Sequence, residues 1–347
     1  MVESQLKKFN KKIIITGGSG YIGSKLVPYL VNKGFVVKVI DKMDFGNNLK
    51  KLKNLSVVQS DLFNCDVSDF QGYSSVIHLA ALSNDPLCNF KPSDNFIQNL
   101  AAVSHVAFLA KSAGVKKFIQ AGSCSVYGKN LNNCSDETIK PHSEFPYGIS
   151  KLQAEKSLKL LQDDNFKVTI LRQATVYGWA PRMRTDLVVN TMTKCAVIDK
   201  VINVDNPDAC RPLIHIDDLC KVYSKVLVTN SPFIMNVSVE NYKIIDIAEQ
   251  VRQKIIEYLP DVEINIKNID EPRSYFVDNS LMKKTVGTWN YKTIEFCIDE
   301  LIAHIPVSDI DEWSNPDYIN LEMYRKNYDT LYKVCLLYTS PSPRDLV

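Results

Sequence analysis

The chain has 347 residues, of which 45% are hydrophobic and 23% charged, enough for one large or two modest domains with real cores. A formal net charge of +2 gives no indication of a surface that binds polyanions. No apolar run is long enough to cross a bilayer, and the lysine-rich residues 1–12 lack the apolar core of a secretory signal. We therefore expect a cytoplasmic protein that binds neither nucleic acid nor membranes.

Two further features concern cysteines and the last residues. Nine cysteines are scattered without a CxxC pair or a Cys/His cluster, which predicts reduced thiols and no metal site. Residues 335–345, CLLYTSPSPRD, resemble the translation of a transposase adapter used in sequencing libraries. We interpret residues 335–347 as an artefact that interrupts the natural chain near Val334. A natural disordered tail rich in proline and serine is the alternative.

The first predicted element is a buried parallel strand, residues 13–16, that runs directly into a glycine-rich turn and a helix over residues 24–33. In such a turn Gly17 permits the tight bend, Gly20 lets a diphosphate approach the backbone, and Gly23 lets the helix pack closely. The phosphates would face free N–H groups at the positive end of the helix dipole. A flexible turn is the alternative for the glycines taken alone.

The next three predicted strands each end in a residue suited to a dinucleotide. Residues 35–40 lead to Asp41, where a carboxylate can bind the adenosine ribose and repel a 2′-phosphate, which favours NAD over NADP. Lys42 beside it could attract that phosphate. Residues 55–58 lead to Asp61, which suits either an adenine amine or a helix N-cap. Residues 75–79 lead to the small side chains of Ala80 and Ala81, which leave room for a cofactor.

Strands and helices continue to alternate through the first half of the chain. Helices are predicted over residues 95–113 and 147–161, and strands over residues 117–121 and 168–172. This order predicts an α/β fold of the Rossmann type, a doubly wound parallel sheet whose ligand crevice lies at the C-terminal ends of the strands.

The pattern changes after residue 178. A basic loop carries Arg182 and Arg184, a helix is predicted over residues 186–196, and a strand containing Arg211 leads to a helix with Asp217 as its N-cap. We expect a Rossmann domain and a smaller interleaved α/β lobe that binds substrate. The Rossmann domain would comprise residues 1–178 with a contribution from about 213–240, and the lobe residues 179–212 and 241–334.

Three side chains carry the predicted chemistry. Tyr147 and Lys151 are four residues apart at the start of a helix and therefore share a face. The lysine should lower the pKa of the phenol, as a general acid/base at a secondary alcohol requires. Ser123, just past a predicted strand, could hold the substrate oxygen against Tyr147.

Four motifs together resemble the extended short-chain dehydrogenases/reductases, and within them the NAD-dependent nucleotide-sugar epimerase/dehydratase group. They span roughly residues 12–305: Thr16-Gly17-x-x-Gly20-x-x-Gly23, Ser123-x-x-x-Tyr127-Gly128, Tyr147-x-x-x-Lys151 and Arg211-Pro212-x-x-His215-x-x-Asp218. The resemblance implies that Tyr147 is the acid/base, that Lys151 binds the nicotinamide ribose and that Ser123 assists the substrate hydroxyl.

The resemblance also implies further contacts. Arg211 and Arg273 are expected to bind the diphosphate of a nucleotide sugar, with Ser125, Arg182 and Arg184 as other substrate contacts. The expected NAD contacts are Gly17, Ser19, Gly20, Tyr21, Ile22, Gly23, Asp41, Asp61, Leu62, Ala80, Ala81, Asn99, Tyr147, Lys151 and Ala174. Helices 95–113 and 147–161 are expected to pair with their symmetry mates in a homodimer, because both carry more apolar residues than one buried stripe needs.

Departures from the group's patterns narrow the reaction. The 4,6-dehydratases carry an Asp-Glu pair after this serine, and here those positions hold Cys124 and Ser125. Fucose-synthase-like enzymes place a cysteine where Ser125 stands, so Cys124 is expected to be a packed residue. Residues 180–184 are similar to a branch that includes GDP-heptose 4-dehydrogenases and epimerases. We expect NAD-dependent oxidation of a nucleotide-sugar hydroxyl at C4, by an epimerase or 4-dehydrogenase. An NADPH-dependent 4-ketoreductase and a non-catalytic NAD-binding sensor or scaffold are the alternatives.

Overall fold

A computed structural model describes residues 11–267 and 274–327. Its strands are β1 Lys12–Thr16, β2 Val36–Asp41, β3 Leu55–Gln59, β4 Ser75–His78, β5 Lys117–Ser123, β6 Asn130–Ser135, β7 Lys167–Gln173, β8 Thr175–Tyr177, β9 Val201–Val204, β10 Cys210–His215, β11 Ile234–Val237, β12 Glu240–Lys243, β13 Glu263–Ile266 and β14 Tyr275–Val277. Its α-helices are α1 Tyr21–Asn32, α2 Asp85–Phe90, α3 Pro92–Phe96, α4 Ala102–Ser112, α5 Pro146–Leu161, α6 Val188–Asp199, α7 Ile216–Val228, α8 Ile244–Ile255, α9 Ser280–Val286, α10 Ile294–His304 and α11 Ile310–Trp313. A 3-10 turn, Pro316–Tyr318, then leads into a helical stretch over residues 320–327, and we call residues 316–327 the C-terminal segment.

Seven strands form one sheet in the order β11-β7-β5-β4-β1-β2-β3, and every neighbouring pair is parallel. Strands covered by helices on both faces need apolar side chains throughout, and Ile13, Ile14 and Ile15 of β1 are fully buried. The doubly wound α/β fold is therefore confirmed. Its winding direction reverses between β1 and β4, which places the ligand crevice at the C-terminal ends of these two strands.

Two hydrophobic cores cover the faces of this sheet. Ile13 and Ile15 belong to the core beneath α1, α7 and α9, whereas Ile14 belongs to the core beneath α4 and α5. A third core joins α6, α8 and α10 through side chains such as Val197 and Leu301. These three helices lie in the region assigned to the substrate-binding lobe from the sequence, and the domain boundaries stay a prediction.

The structure differs from the sequence-based expectation at two helix boundaries. The helix predicted over residues 95–113 consists of α3, a π-helical turn at Ile97–Ala101, and α4. A π-turn rotates the following side chains relative to a regular helix and is common at functional sites. The predicted N-cap of α7, Asp217, is wrong: His215 is the N-cap, and its Nδ1 accepts a hydrogen bond from the Asp217 backbone N at 3.2 Å.

The Arg-Pro-x-x-His-x-x-Asp motif ties the sheet region to the third core. His215 is fully buried, and its Nε2 lies 3.2 Å from Glu300 Oε2 on α10. Glu300 also accepts hydrogen bonds from Lys25 Nζ of α1 and from the Trp179 backbone N, each at 3.0 Å. Asp218, also fully buried, accepts hydrogen bonds from Trp289 Nε1 and the Lys292 N, each at 2.7 Å. The His and Asp of the motif therefore connect α7 to α10 and to the segment that precedes α10.

Candidate active site

The glycine-rich turn leaves open space where a diphosphate would lie. A Cβ built on Gly17 would meet Ala80 N at 2.4 Å, and one on Gly23 would meet Gly18 O at 2.4 Å. A Cβ on Gly20 would meet only Gly17 O, at 3.4 Å, which is ordinary contact. Gly20 is also the N-cap of α1 and brings no side chain to satisfy the N–H groups of the first helical turn. Those donors remain for an anionic ligand.

Ser19 and Asp41 attach the loop after β2 to this turn. Asp41 accepts hydrogen bonds from the backbone N of Ser19 at 2.8 Å and of Met43 at 2.7 Å. The Ser19 hydroxyl donates to Gly46 O and accepts from the Asn48 N, both at 2.8 Å. Burial raises the pKa of Asp41, and these two backbone donors act against it.

Acidic side chains surround Lys42, the residue that could attract the 2′-phosphate of NADP. Its Nζ lies 3.6 Å from Asp44 and 4.0 Å from Asp61, so its charge is already shared by two carboxylates. Asp61 Oδ1 caps the 3-10 turn Leu62–Asn64 by accepting from the Phe63 N at 3.0 Å, and the residue also lines the groove. With two carboxylates near this ammonium and Asp41 in the same groove wall, this end of the groove is unfavourable for a 2′-phosphate.

Asn99 holds the loop after β4 in place. Its Oδ1 accepts from the Leu82 N at 2.9 Å and its Nδ2 donates to Leu82 O at 2.8 Å. Asn99 is fully buried and lines neither of the two grooves described below, so its described contacts are with protein. Asn99 lies in the π-turn and bonds the residue that follows Ala80 and Ala81, and both alanines line the cofactor groove.

The predicted catalytic side chains converge at the ends of β5 and α5. The Ser123 hydroxyl donates to Ser125 Oγ at 3.0 Å and lies close enough to the Tyr147 hydroxyl for a hydrogen bond that lowers the tyrosine pKa. Lys151 is buried, donates to Ala121 O at 3.1 Å, and has its Nζ 5.7 Å from the centroid of the Tyr147 ring. Pro146 at the first position of α5 starts this helix beside the sheet edge.

The acid/base balance of this group differs from the expected one. Burial raises the pKa of Tyr147 well above its ordinary value, and the hydrogen bond with Ser123 only partly opposes it. Burial also lowers the pKa of Lys151 to about 8. The expected depression of the Tyr147 pKa by Lys151 is therefore not found. The Lys151 Nζ lies 5.7 Å from the centroid of the ring and donates to the Ala121 carbonyl. Desolvation of the phenol therefore raises the Tyr147 pKa more than this ammonium could lower it.

Two grooves share part of their walls, and Ser123 and Tyr147 lie in one of them. The cofactor groove, a cavity of about 370 Å³, runs along the glycine-rich turn and the ends of β2 and β4. The substrate groove, about 650 Å³, contains Ser123 and Tyr147. The walls of both include Tyr21, Ile22, Ser83 and Arg184. Predicted cofactor residues in the wall of the first are Gly17, Ser19, Gly20, Tyr21, Ile22, Gly23, Asp41, Asp61, Leu62, Ala80 and Ala81.

The substrate groove contains several predicted residues and one unexpected one. Ser125 and Arg211 line it, with the Arg211 guanidinium 5.8 Å from the centroid of the Tyr275 ring. Ala174, predicted to contact NAD, lies in this groove instead of the cofactor groove, because it follows β7 beyond the catalytic side chains. Arg273 lies outside the described residues. Cys124 is buried and donates to Arg172 O at 3.1 Å, as expected for a packed residue.

Arg182 and Arg184 occupy different positions. Arg184 is paired through two hydrogen bonds with Asp186, at 2.8 and 3.0 Å, and lines both grooves. Arg182, predicted to contact substrate, lines the cofactor groove, where its guanidinium lies 4.3 Å from the centroid of the Phe45 ring.

The C-terminal segment supplies site residues that the sequence analysis did not identify. Asn320 and Tyr324 line the cofactor groove, and Leu321 lines the substrate groove. Asn320 Nδ2 donates to Ser83 Oγ at 2.9 Å, and the Tyr324 hydroxyl donates to Asp94 Oδ2. No motif marks these residues, since tertiary packing alone brings them to the groove.

Two absences apply to residues 11–267 and 274–327. No group of three His, Cys, Asp or Glu side chains in these ranges could hold a metal ion. No helix in the same ranges combines the length and apolar character needed to span a membrane.

A comparison with known families decides the assignment. Residues 13–238, well over half of the chain, match the NAD dependent epimerase/dehydratase family. The chain belongs to this family. The recognition made from the four motifs and the expectation of an NAD-dependent enzyme are thereby confirmed. The open space at Gly20, the free donors of α1 and the carboxylate of Asp41 fit the diphosphate and adenosine ribose of NAD.

Curated relatives are moderately similar. The chain is 29% identical over 235 residues to a Bacillus subtilis protein described as uncharacterized UDP-glucose epimerase YtcB, a match over 62% of this chain and 72% of that protein. It is 29% identical over 185 residues to mouse dTDP-D-glucose 4,6-dehydratase, a match over 49% of this chain and 52% of the relative. The chain thus spans about half the length of that dehydratase.

Solved structures share the fold. The NAD-dependent NDP-hexosamine 5,6-dehydratase TunA, of tunicamycin biosynthesis, superimposes with a TM-score of 0.77 at 22% identity, over 86% of this chain and 99% of TunA. UDP-glucuronic acid 4-epimerase from Bacillus cereus, solved with UDP-glucuronic acid and NAD, gives 0.74 at 22% identity, over 87% and 99%. These similarities favour neither the ketoreductase nor the non-catalytic alternative.

Proposed function

We propose that this protein oxidises a ring hydroxyl of a nucleotide sugar at C4 with NAD⁺, as an epimerase or a 4-dehydrogenase. The observation that carries the proposal is that Tyr147 and Ser123 line the substrate groove, which shares wall residues such as Arg184 with the cofactor groove. A sugar bound there would have a hydroxyl beside the phenol and its ring carbon toward the cofactor groove.

The chain's own residues would handle the proton. The Tyr147 oxygen accepts the hydroxyl proton, and Ser123 orients the substrate oxygen through its hydroxyl. Lys151 donates to Ala121 O with its Nζ near the Tyr147 ring, although burial keeps the pKa of this phenol raised. When bound, the nicotinamide of NAD⁺ supplies the hydride acceptor and a further positive charge near the same oxygen.

A nucleotide diphosphate would be bound in the substrate groove by Arg211. Arg211 lines this groove, and a guanidinium suits the paired oxygens of a diphosphate. The relatives support this substrate class, because their names specify UDP-glucose, UDP-glucuronic acid and dTDP-D-glucose. Arg273 remains a predicted second contact.

Water elimination is disfavoured as the overall reaction, although several relatives are dehydratases. The two positions after Ser123 hold Cys124 and Ser125, and neither supplies a carboxyl group. Burial raises the pKa of Cys124 far above its ordinary value, so this thiol is not a base at neutral pH. Epimerisation or simple oxidation at C4 needs only the acid/base pair that the site contains.

The test is incubation of the purified protein and NAD⁺ with UDP-glucose, UDP-glucuronic acid, UDP-N-acetylglucosamine and dTDP-glucose, followed by NMR of the products. We expect a C4 epimer, or a 4-keto sugar with NADH, from at least one substrate. A 4-keto-6-deoxy product would instead assign a dehydratase. Turnover of a 4-keto sugar with NADPH alone would assign the ketoreductase.

We also propose a cytoplasmic homodimer that acts in carbohydrate biosynthesis. Four large apolar side chains stay exposed on the helices predicted to pair: Phe96, Ile97, Phe108 and Leu160. The helices α4 and α5 are neighbours, with Ser104 Oγ 2.6 Å from Ser157 Oγ, so they can present one surface to a second copy. Sedimentation of residues 1–334 should show a dimer at micromolar concentration, and Phe108→Lys should shift it to monomer. A wild-type monomer would contradict the proposal.

A further inference from the structure

Arg182 is a buried cation beside the glycine-rich turn. Its side chain is 4% exposed and lines the cofactor groove but not the substrate groove. Its backbone N donates to Ser24 Oγ, in the first turn of α1, at 3.2 Å. The residue is thereby fixed at the end of α1 where the helix dipole is positive and where Gly20 leaves open space.

The hydrogen bonds of Arg182 are incomplete within the described residues. Nη1 donates to Met183 O at 3.2 Å, whereas Nη2 is buried and has no hydrogen-bond partner there. A guanidinium offers five N–H donors, and a buried donor without a partner is costly. The ring of Phe45 supports one face of the guanidinium at 4.3 Å but accepts no conventional hydrogen bond.

The local charge is also unbalanced. Asp186 and Asp317 are the carboxylates that act on Arg182, but Asp186 is bound to Arg184 by two hydrogen bonds and additionally accepts from Asn84 Nδ2 at 2.9 Å. Burial, together with the neighbouring Arg184, lowers the pKa of Arg182 to about 10. Two buried guanidinium groups therefore share one closely bound carboxylate, an arrangement that an anionic ligand would stabilise.

We propose that Arg182 binds the diphosphate of NAD beside the glycine-rich turn. This assignment rests on the proposed function and moves Arg182 from the substrate to the cofactor. The backbone donors of α1 and the guanidinium would then contact different oxygens of the same diphosphate. Arg211, which lines only the substrate groove, is left for the nucleotide-sugar diphosphate.

Phe45 would couple this contact to recognition of the adenosine ribose. It belongs to the loop that Ser19 and Asn48 fasten to the glycine-rich turn, the same loop that begins at Asp41. Stacking on Phe45 fixes the plane of the guanidinium, which a lysine could not reproduce. Arginine is therefore needed for its shape as well as its charge.

The test compares four ligands on the full-length protein freed of bound cofactor: NAD, ADP-ribose, adenosine and UDP. Dissociation constants are measured by calorimetry for wild type, Arg182→Gln, Arg182→Lys and the control Arg252→Gln. Arg252 is an exposed arginine of α8 that donates to Val262 O and lines neither groove. We expect Arg182→Gln to weaken NAD and ADP-ribose by roughly 10- to 100-fold, with adenosine and UDP changed less than about twofold. The NAD affinity of Arg182→Lys should lie between those of wild type and Arg182→Gln, and Arg252→Gln should leave all four dissociation constants unchanged.

Each other outcome overturns the assignment. Equal weakening of adenosine would show that Arg182 only maintains the fold of the groove, and unchanged NAD affinity would show that it does not contact the diphosphate. Weakening of UDP in place of NAD would return Arg182 to the substrate. A wild-type protein that binds no NAD would refute the proposed function itself, which separates that failure from failure of this inference.

Discussion

At the scale of single residues, the three glycines of the first turn are required for different reasons. Gly17 has φ of +71° and a Cβ there would overlap Ala80, while a Cβ on Gly23 would overlap Gly18. Both are needed by the fold itself. Gly20 has space around its Cα within the protein, so the ligand is what requires a glycine at this position.

Gly20→Ala should therefore weaken NAD binding without unfolding the protein. We expect a loss of about 1–3 kcal/mol in binding, since an added methyl would overlap a diphosphate oxygen. The matched control is Gly17→Ala, which should lower the melting temperature because it combines a positive φ with overlap of Ala80. Calorimetric binding and thermal unfolding of both variants separate the two roles. Normal NAD affinity in Gly20→Ala would contradict this account.

Asp41→Ala should weaken the binding of NAD and reduce the ratio of NAD affinity to NADP affinity. The expected loss is about 1–3 kcal/mol, the cost of leaving a ribose hydroxyl without its charged acceptor. Asp41→Asn serves as the intermediate variant, because it removes the charge while its single amide oxygen can still accept from one of the two backbone N–H groups, Ser19 or Met43, that bond separate oxygens of Asp41. If the NAD/NADP affinity ratio is the same in all three proteins, the ribose is held elsewhere.

Residue spacing predicted the glycines, Asp41 and Ser123 because they lie at the ends of strands that define the crevice, and it predicted Tyr147 from its distance of four residues to Lys151. It could not determine which groove Arg182 and Ala174 would face, since both lie in connections whose path depends on the second lobe. Residue spacing also could not predict the raised pKa of Tyr147, because desolvation depends on everything packed around the phenol.

At the scale of elements, the C-terminal segment closes one side of the cofactor groove. Asn327 Nδ2 donates to Asp44 O, Tyr324 donates to Asp94, and Asn320 donates to Ser83. These contacts join the segment to loops after β2 and β4 and to α3. Release of the cofactor would require at least part of this segment to move.

Tyr324→Phe should accelerate NAD release by roughly 3- to 10-fold, as expected from loss of one hydrogen bond that holds the segment. Stopped-flow displacement of bound NADH fluorescence measures the rate. Tyr258→Phe is the control, because Tyr258 bonds Asp299 and lines neither groove. Equal release rates in the two variants would show that the segment does not limit exchange.

Glu300 of α10 should make the junction behind the crevice sensitive to acid. Burial alone would raise the pKa of this carboxyl, but His215, the Trp179 N–H and Lys25 lower it from 4.5 to about 2. A depressed acid pKa stabilises the fold above the unfolded value and loses that contribution as pH falls toward the folded value. Glu300→Gln should therefore lower the free energy of unfolding by about 2 kcal/mol at neutral pH.

The difference between Glu300→Gln and wild type should shrink as pH falls from 4.5 to about 2. Urea unfolding across this range measures it, with Glu249→Gln, an exposed glutamate of α8, as the control. A difference that stays constant with pH would show that Glu300 contributes through packing and not through its charge.

Long apolar strands and alternating helices were predictable, whereas short or interrupted elements were not. The edge strand β11 is the four residues Ile-Met-Asn-Val, with Asn236 as deeply buried as its neighbours, so it shows no alternation. The π-turn at Ile97–Ala101 could not be predicted, because the apolar residues around it keep the spacing of a regular helix. In the structure this turn contains Asn99, which bonds Leu82.

At the scale of the whole molecule, two grooves share part of their walls, and Tyr147 lies in the substrate groove. The fold is shared with solved enzymes at 22% identity, which shows how little sequence the architecture requires. Two local features bear on the reaction: Cys124 and Ser125 follow Ser123, and the C-terminal segment contributes to the walls of both grooves. We therefore expect the loops that line the substrate groove to determine which sugar is oxidised, and Tyr147 to accept the proton.

The most direct measurement is a single-turnover reaction of the NAD⁺-loaded protein with an accepted UDP-sugar, followed by absorbance of reduced nicotinamide and by product NMR. Tyr147→Phe should lower the rate of reduction by about two to four orders of magnitude, because the proton acceptor is lost, while NAD affinity changes little. Ser123→Ala should give a smaller decrease in rate with the same NAD affinity. Retention of more than a tenth of the wild-type rate by Tyr147→Phe would contradict the assignment of Tyr147 as the acid/base, and with it the central claim.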